Sequence, residues 1–146
     1  MYHRFDENKY PSTNIQMNIF KEQMSIINTL NYKFYDPQNL QKNFAATKNE
    51  KKILITIDDA FLSFYNIAWP YLKKEKIPFI LFVSTQAVGK TGYMNWKQIK
   101  EIEKEPHSYI GNHSHSHDYL VDLDTKNFLY DINTSIKIFN QRLGYN

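Results

Sequence analysis

The strongest restriction on the fold of this chain comes from Ile-Leu-Ile-Thr-Ile at residues 53–57, a near-continuous aliphatic run. Too short for a helix, such a run reads as a strand buried on both faces, as in parallel sheets covered by helices. Pro78 to Val83, Pro-Phe-Ile-Leu-Phe-Val, is a second strand of the same kind. A helical stretch from about Leu62 to Lys76 lies between them, and Pro70 is expected to kink it. Strand, helix and strand make a βαβ unit with a right-handed crossover. Ser108 to Gly111 supplies a third short strand, so the fold class is α/β.

The flanking segments fit the same alternation. Pro11, Ser12 and Thr13 give a turn and a cap before a helix with Ile19, Phe20, Met24, Ile27 and Leu30 at helical spacing. Tyr32 to Tyr35 is expected as a short strand. Asp36-Pro37 then opens a short helix with Leu40 and Phe44 one turn apart. Gly89 and Gly92 mark a loop, and Asn95 caps a helix from Trp96 to Lys104. Asp124 or Thr125 caps a long final helix. Its expected buried stripe is Phe128, Ile132, Ile136, Phe139 and Leu143, with Gly144 as C-cap. Such a helix normally feeds another strand. At the other end, Tyr2-His3-Arg4 lacks the aliphatic residues of a first strand. Residues 1–146 are therefore expected to be one domain, a truncated piece of a larger barrel-like fold.

Composition narrows the function. With 42% hydrophobic and 23% charged residues the chain has the make-up of a globular protein. Its 16% of aromatic residues suit either a core or a sugar-binding groove, and the core is the commoner use. A net charge of +3 on scattered lysines offers no basic stripe, so nucleic acid is not an expected partner. Without cysteine there are neither disulfides nor thiolate metal sites. No apolar run approaches the roughly 20 residues that span a bilayer. Met1 to Tyr10 has no apolar segment of the signal-peptide kind. As written the chain is expected in the cytoplasm, or else its export signal lies outside it.

Two clusters carry chemistry. Asp58 and Asp59 directly follow the buried strand, and parallel α/β folds gather their functional groups at the carboxyl ends of strands. Neighbours on a regular strand point to opposite faces, so both carboxylates can share one site only if the backbone turns there. The competing reading is that the pair caps the next helix. The second cluster is Gly111-Asn112-His113-Ser114-His115-Ser116-His117-Asp118. His113 and His117, four apart, would lie on one side of a helical turn or an extended segment. His115 would project elsewhere, and the competing reading is a His-rich surface loop. Together, a carboxylate and two imidazoles at one rim form a facial ligand set for a divalent cation, with positions left for water and substrate.

These residues also resemble a known family. Thr56-Ile57-Asp58-Asp59-Ala60 is similar to the first motif of the NodB-homology polysaccharide deacetylases, Thr-Phe-Asp-Asp-Gly. Ile110 to His117 is similar to the second, Gly-Asn-His-Ser/Thr-x-x-His. Tyr2-His3-Arg4-Phe5, Pro11-Ser12-Thr13 and Pro78 to Ser84 resemble other family segments, with the core motifs inside residues 52–121. The resemblance implies an incomplete, distorted (β/α) barrel. It also implies a hydrolase that removes N-acetyl groups from an N-acetylated sugar or polysaccharide, leaving acetate and a free amine. By position it makes Asp58 the catalytic base and Asp59, His113 and His117 the ligands of a divalent metal, zinc foremost.

The chain also departs from the family pattern. Ala60 and Ile57 replace the motif's Gly and Phe, and Ala tolerates a positive φ poorly. The family's later Arg-containing segment and general-acid His have no counterpart, since no histidine follows His117 and Arg142 does not match. The alternative is therefore a catalytically silent metal- or glycan-binding remnant, with a plain structural α/β piece as the third option. Apolar edges of an incomplete barrel would be covered by a second copy or by a missing C-terminal half.

Overall fold

The computed structural model describes residues 1–39 and 51–145. Its centre is a three-stranded, fully parallel sheet of β5 (Ile55–Ile57), β6 (Phe79–Val83) and β7 (Ser108–Asn112), in that order. Ile57 pairs with Leu81, Leu81 with Ile110, and Val83 with Asn112, so the three strands end near one another. The βαβ reading holds, and the sheet face of Ile55, Ile57, Phe79, Leu81 and Val83 is buried. The opposite face is only partly covered: Thr56, Ile80 and Phe82 keep intermediate exposure.

The aliphatic run at 53–57 is two strands rather than one. β4 (Lys52–Ile53) pairs in parallel with β3 (Lys33–Phe34), whereas β5 pairs with β6. The chain changes sheets at Leu54. At the N-terminus, β1 (Arg4–Phe5) pairs with β2 (Asn14–Ile15), and Tyr2 forms a parallel bridge to Ile57. The opening segment thus extends the sheet despite its lack of aliphatic residues. Two backbone bonds suffice for that, from Tyr2 N–H to the Thr56 carbonyl at 2.9 Å and from Asp58 N–H to the Tyr2 carbonyl at 2.8 Å.

Among the described residues four α-helices accompany the sheets: α1 (Met17–Thr29), α2 (Trp69–Glu75), α3 (Trp96–Glu103) and α4 (Thr125–Leu143). The α1 cap is not in the Pro11–Thr13 turn; the Asp6 carboxylate accepts the Met17 amide at 2.7 Å. Pro70 is accommodated by a π-helical turn over Phe64–Ala68, in which Trp69 N–H reaches back to the Phe64 carbonyl. Asn95 caps α3 in a reciprocal capping box with Gln98, and Asp124 caps α4 through the Asn127 amide. Gly144 ends α4 with φ +84°, the left-handed cap that glycine adopts at least cost. Pro37–Asn39 form a short 3₁₀ turn; Leu40 and Phe44, on which the expected second helix rests, lie outside the described residues. Among the described residues no helix is long and apolar enough to cross a membrane.

Phenylalanine rings fill the core. Phe5, Phe20, Phe64, Phe79 and Phe139 are fully buried with Leu72, Leu81, Met94, Ile99 and Ile102. Each such side chain is worth about 1.5–3 kcal/mol of burial. The stripe expected on α4 holds in part: Phe139 is buried and Leu143 packs against the core, Ile132 and Ile136 are half-buried, and Phe128 is exposed, while Asp131 and Ser135 are buried in addition. Gly111 in β7 packs tightly, since a Cβ there would come within 2.5 Å of the Phe82 ring. That ring lies 5.9 Å from the His113 ring, so a shift would be passed to the site. Gly111→Ala is expected to cost about 1–3 kcal/mol. Urea unfolding with an unchanged midpoint would show that the ring has room to move.

Candidate metal centre

The carboxyl ends of β5, β6 and β7 converge on one rim. From β5 the chain passes Asp58, then takes left-handed conformations at Asp59 (φ 71°) and Ala60 (φ 54°). This is the sharp turn that adjacent carboxylates need if both are to serve one site. A left-handed alanine costs roughly 1–2 kcal/mol, and aspartate tolerates that region better. Neighbouring bonds hold the turn in place. The Met94 amide donates to the Ala60 carbonyl at 2.9 Å, and the Leu62 amide to the Gly92 carbonyl at 2.8 Å. Phe61 adds an antiparallel bridge to Tyr93, and its ring lies 3.5 Å beneath the Arg4 guanidinium.

The histidine segment after β7 is neither helical nor extended, because Ser114 (φ 67°) and His117 (φ 65°) are also left-handed. The loop is tied to the chain leaving β6. His113 N–H bonds the Val83 carbonyl, Ser84 Oγ donates to the His113 carbonyl, and the amides of Thr85 and Gln86 reach the carbonyls of Ser114 and His115. His115 is turned away as expected, its Nδ1 lying 2.8 Å from Thr85 Oγ1.

The outcome is a cluster of three donors. One ligand atom each from Asp59, His113 and His117 falls within 4.8 Å of the others. Asp59 Oδ1 is 3.1 Å from His117 Nε2 and 3.8 Å from His113 Nε2. Around a tetrahedral ion with bonds of about 2.1 Å, ligand atoms sit about 3.4 Å apart, so these separations bracket the spacing a cation requires. Asp59 Oδ1 is buried and, among the described residues, has no hydrogen-bond partner, although an imidazole nitrogen lies 3.1 Å away. Three donor atoms gathered this closely are what a divalent cation satisfies. Asp58 lies outside this trio, 7% exposed, and its Oδ1 is likewise buried without a partner.

Two clefts flank the donors. A larger one of about 950 Å³ is walled by His113, His117, Tyr119, Leu120, Ile132 and Ile136. A smaller one of about 210 Å³ includes Asp59, Gln86, Lys90, Tyr93 and His117. Burial pushes the Tyr93 phenol above its ordinary range; Arg4 opposes this, while Asp59 adds to it.

One residue of this neighbourhood escaped the sequence reading. Asp131 of α4 is 4% exposed and accepts the His115 amide at 2.8 Å and the Ser116 amide at 2.7 Å, one on each oxygen. Burial pushes its pKa up, but the Ser116 hydroxyl and the two amides outweigh that and hold it below the usual carboxylate value. The available signal was an acid at helical spacing from Ser135 and Phe139, on what proved to be the inner face.

Residues 45–146 match the sequence model of a family described as polysaccharide deacetylase. YxkH of Bacillus subtilis (strain 168), whose name places it among polysaccharide deacetylases, is 26% identical over 122 residues. That match covers 82% of this chain and 42% of YxkH, so the chain spans about two fifths of that relative's length. The deacetylase PplD of Streptococcus pyogenes, solved in complex with acetate, is similar with a TM-score of 0.85 at 22% identity. The likeness covers 100% of this chain and 68% of PplD. IcaB from Ammonifex degensii also gives 0.85, at 27% identity over 99% of this chain and 68% of IcaB.

Proposed function

Because the chain belongs to the polysaccharide deacetylase family, we propose that its rim is the site of a metal-dependent hydrolase acting on N-acetyl groups of a sugar or polysaccharide. The observation that carries this reading is the meeting of Asp59, His113 and His117 beside a buried, unpartnered Asp58. In this reading the β5–β6–β7 sheet is an arc of a distorted (β/α) barrel, and residues 1–146 act within one domain.

Asp59, His113 and His117 would hold the divalent ion, with zinc the best match to two imidazoles and a carboxylate. Once bound, such an ion supplies Lewis acidity and lowers the pKa of water toward about 7. Asp58 takes the proton from the water that attacks the acetamide carbonyl, a role suited to a carboxylate whose Oδ1 has no competing donor. Cleavage of the C–N bond gives acetate and an amine. The larger cleft receives the sugar, with Tyr119 and the apolar wall of Leu120 and Ile132 facing the ring carbons.

Elemental analysis of the purified chain, paired with acetate release from N-acetylglucosamine oligomers, tests the proposal. One equivalent of divalent metal and metal-dependent acetate release are expected. Stoichiometric metal without acetate release would reject the enzymatic reading, and absence of both would reject the site.

A further inference from the structure

We infer that Asp131 is a positioning residue for the metal centre: its buried carboxylate, reaching across from α4, holds the loop between His113 and His117 in the shape that brings both imidazoles to Asp59. The inference rests on the reading of Asp59, His113 and His117 as metal ligands.

The amides of the loop show why such a residue is needed. The His113 amide is satisfied by the neighbouring strand at Val83. Ser114 and His117 use side chains of the loop itself, with the Ser114 amide on Asn112 Oδ1 at 3.0 Å and the His117 amide on Ser114 Oγ at 3.3 Å. The two central amides, His115 and Ser116, go to Asp131 alone. A loop with two left-handed non-glycine residues does not hold that shape by intrinsic preference. Two charge-assisted bonds of 2.7 and 2.8 Å at its apex oppose relaxation toward extended backbone.

The chemistry of the position is also unusual. Asp131 shares the inner face of α4 with Ser135 and Phe139, where the helix would ordinarily present apolar side chains. A carboxylate with 4% exposure is retained there at the expense of desolvation, and its two oxygens are each matched to one backbone donor. Ser135, one turn on and equally buried, donates only to the Ile132 carbonyl of its own helix. It serves as the control for disturbance of α4 that leaves the loop alone.

The test is zinc affinity by competition with a chromophoric chelator, with circular dichroism and thermal unfolding run on the same samples. Asp131→Asn replaces one acceptor with a donor facing an amide, and it is expected to weaken zinc binding by about 10–100-fold while the fold persists. Asp131→Glu, which keeps the charge and both acceptors, is expected to fall between the wild type and the Asn variant. Ser135→Ala is expected to bind zinc like the wild type. A folded Asp131→Asn protein with wild-type affinity would overturn the inference, as would a Ser135→Ala protein weakened to the same extent. Should the Asn variant not fold, amide exchange in the wild type decides the matter: protected His115 and Ser116 amides support the tether, and unprotected ones overturn it. Wild-type protein that binds no zinc would instead overturn the metal reading itself.

Discussion

His113→Ala and His117→Ala are each expected to abolish stoichiometric binding of a divalent cation while leaving the fold intact. Both imidazoles present Nε2 to the same carboxylate oxygen of Asp59, at 3.8 and 3.1 Å. Removing either leaves one nitrogen and one carboxylate, too few donors to retain zinc at the usual three protein ligands. Loss of a group that merely orients a ligand costs about 10–100-fold in affinity, and loss of a ligand exceeds that. Stability should change little, by about 0.5 kcal/mol or less, because the His117 side chain is 54% exposed and the His113 side chain 35% exposed. Zinc content by elemental analysis after gel filtration is the measurement, and unchanged stoichiometry in both variants would remove the site.

Asp58→Asn separates the metal from the chemistry. The amide has nearly the same volume and shape as the carboxylate, and Asp58 is not one of the three clustered donors, so metal content should stay at the wild-type level. What disappears is the group that accepts the proton of the attacking water. A positioned general base contributes about 10²–10⁴ in rate, and acetate release from N-acetylglucosamine oligomers should fall by that factor. Asp58 Oδ1 is buried with no hydrogen-bond partner among the described residues, so no other donor occupies the oxygen assigned to that proton. Acetate release at the wild-type rate in a sample with full metal content would reject Asp58 as the base.

Much of the architecture was readable along the chain because it depends on local pattern. β6 and β7 appear where apolar runs predict them, and α3 begins at the Asn95 capping box. The misreadings share one cause, which is that periodicity does not report which partner an element meets. The run at 53–57 has a single character in sequence but changes neighbours at Leu54, pairing first with β3 and then with β6. The apolar stripe assigned to α4 includes Phe128, which is exposed, and omits Asp131 and Ser135, which are buried. Helical spacing placed Phe139 and Leu143 correctly on the core, but nearer the start of the helix the buried line runs through Asp131 and Ser135 instead. Tyr2, with no aliphatic neighbours, still adds a bridge to the sheet because backbone hydrogen bonds are indifferent to side-chain type.

The donor set is legible from the order of residues alone. Two aspartates after one buried strand and two histidines after another mark the candidate donor types and the rim where parallel strands end. Residue order could not supply the backbone conformation that makes them converge. Asp59, Ala60, Ser114 and His117 all occupy the left-handed region, which none of these residue types announces as glycine would. Such conformations persist only when surrounding structure imposes them. Here that structure is the Met94 and Gly92 backbone around the aspartate turn, and the chain after β6 together with Asp131 around the histidine loop. Ligand chemistry is a property of side chains and was written in the sequence. Ligand geometry is a property of long-range hydrogen bonds, which exist only once the chain has folded.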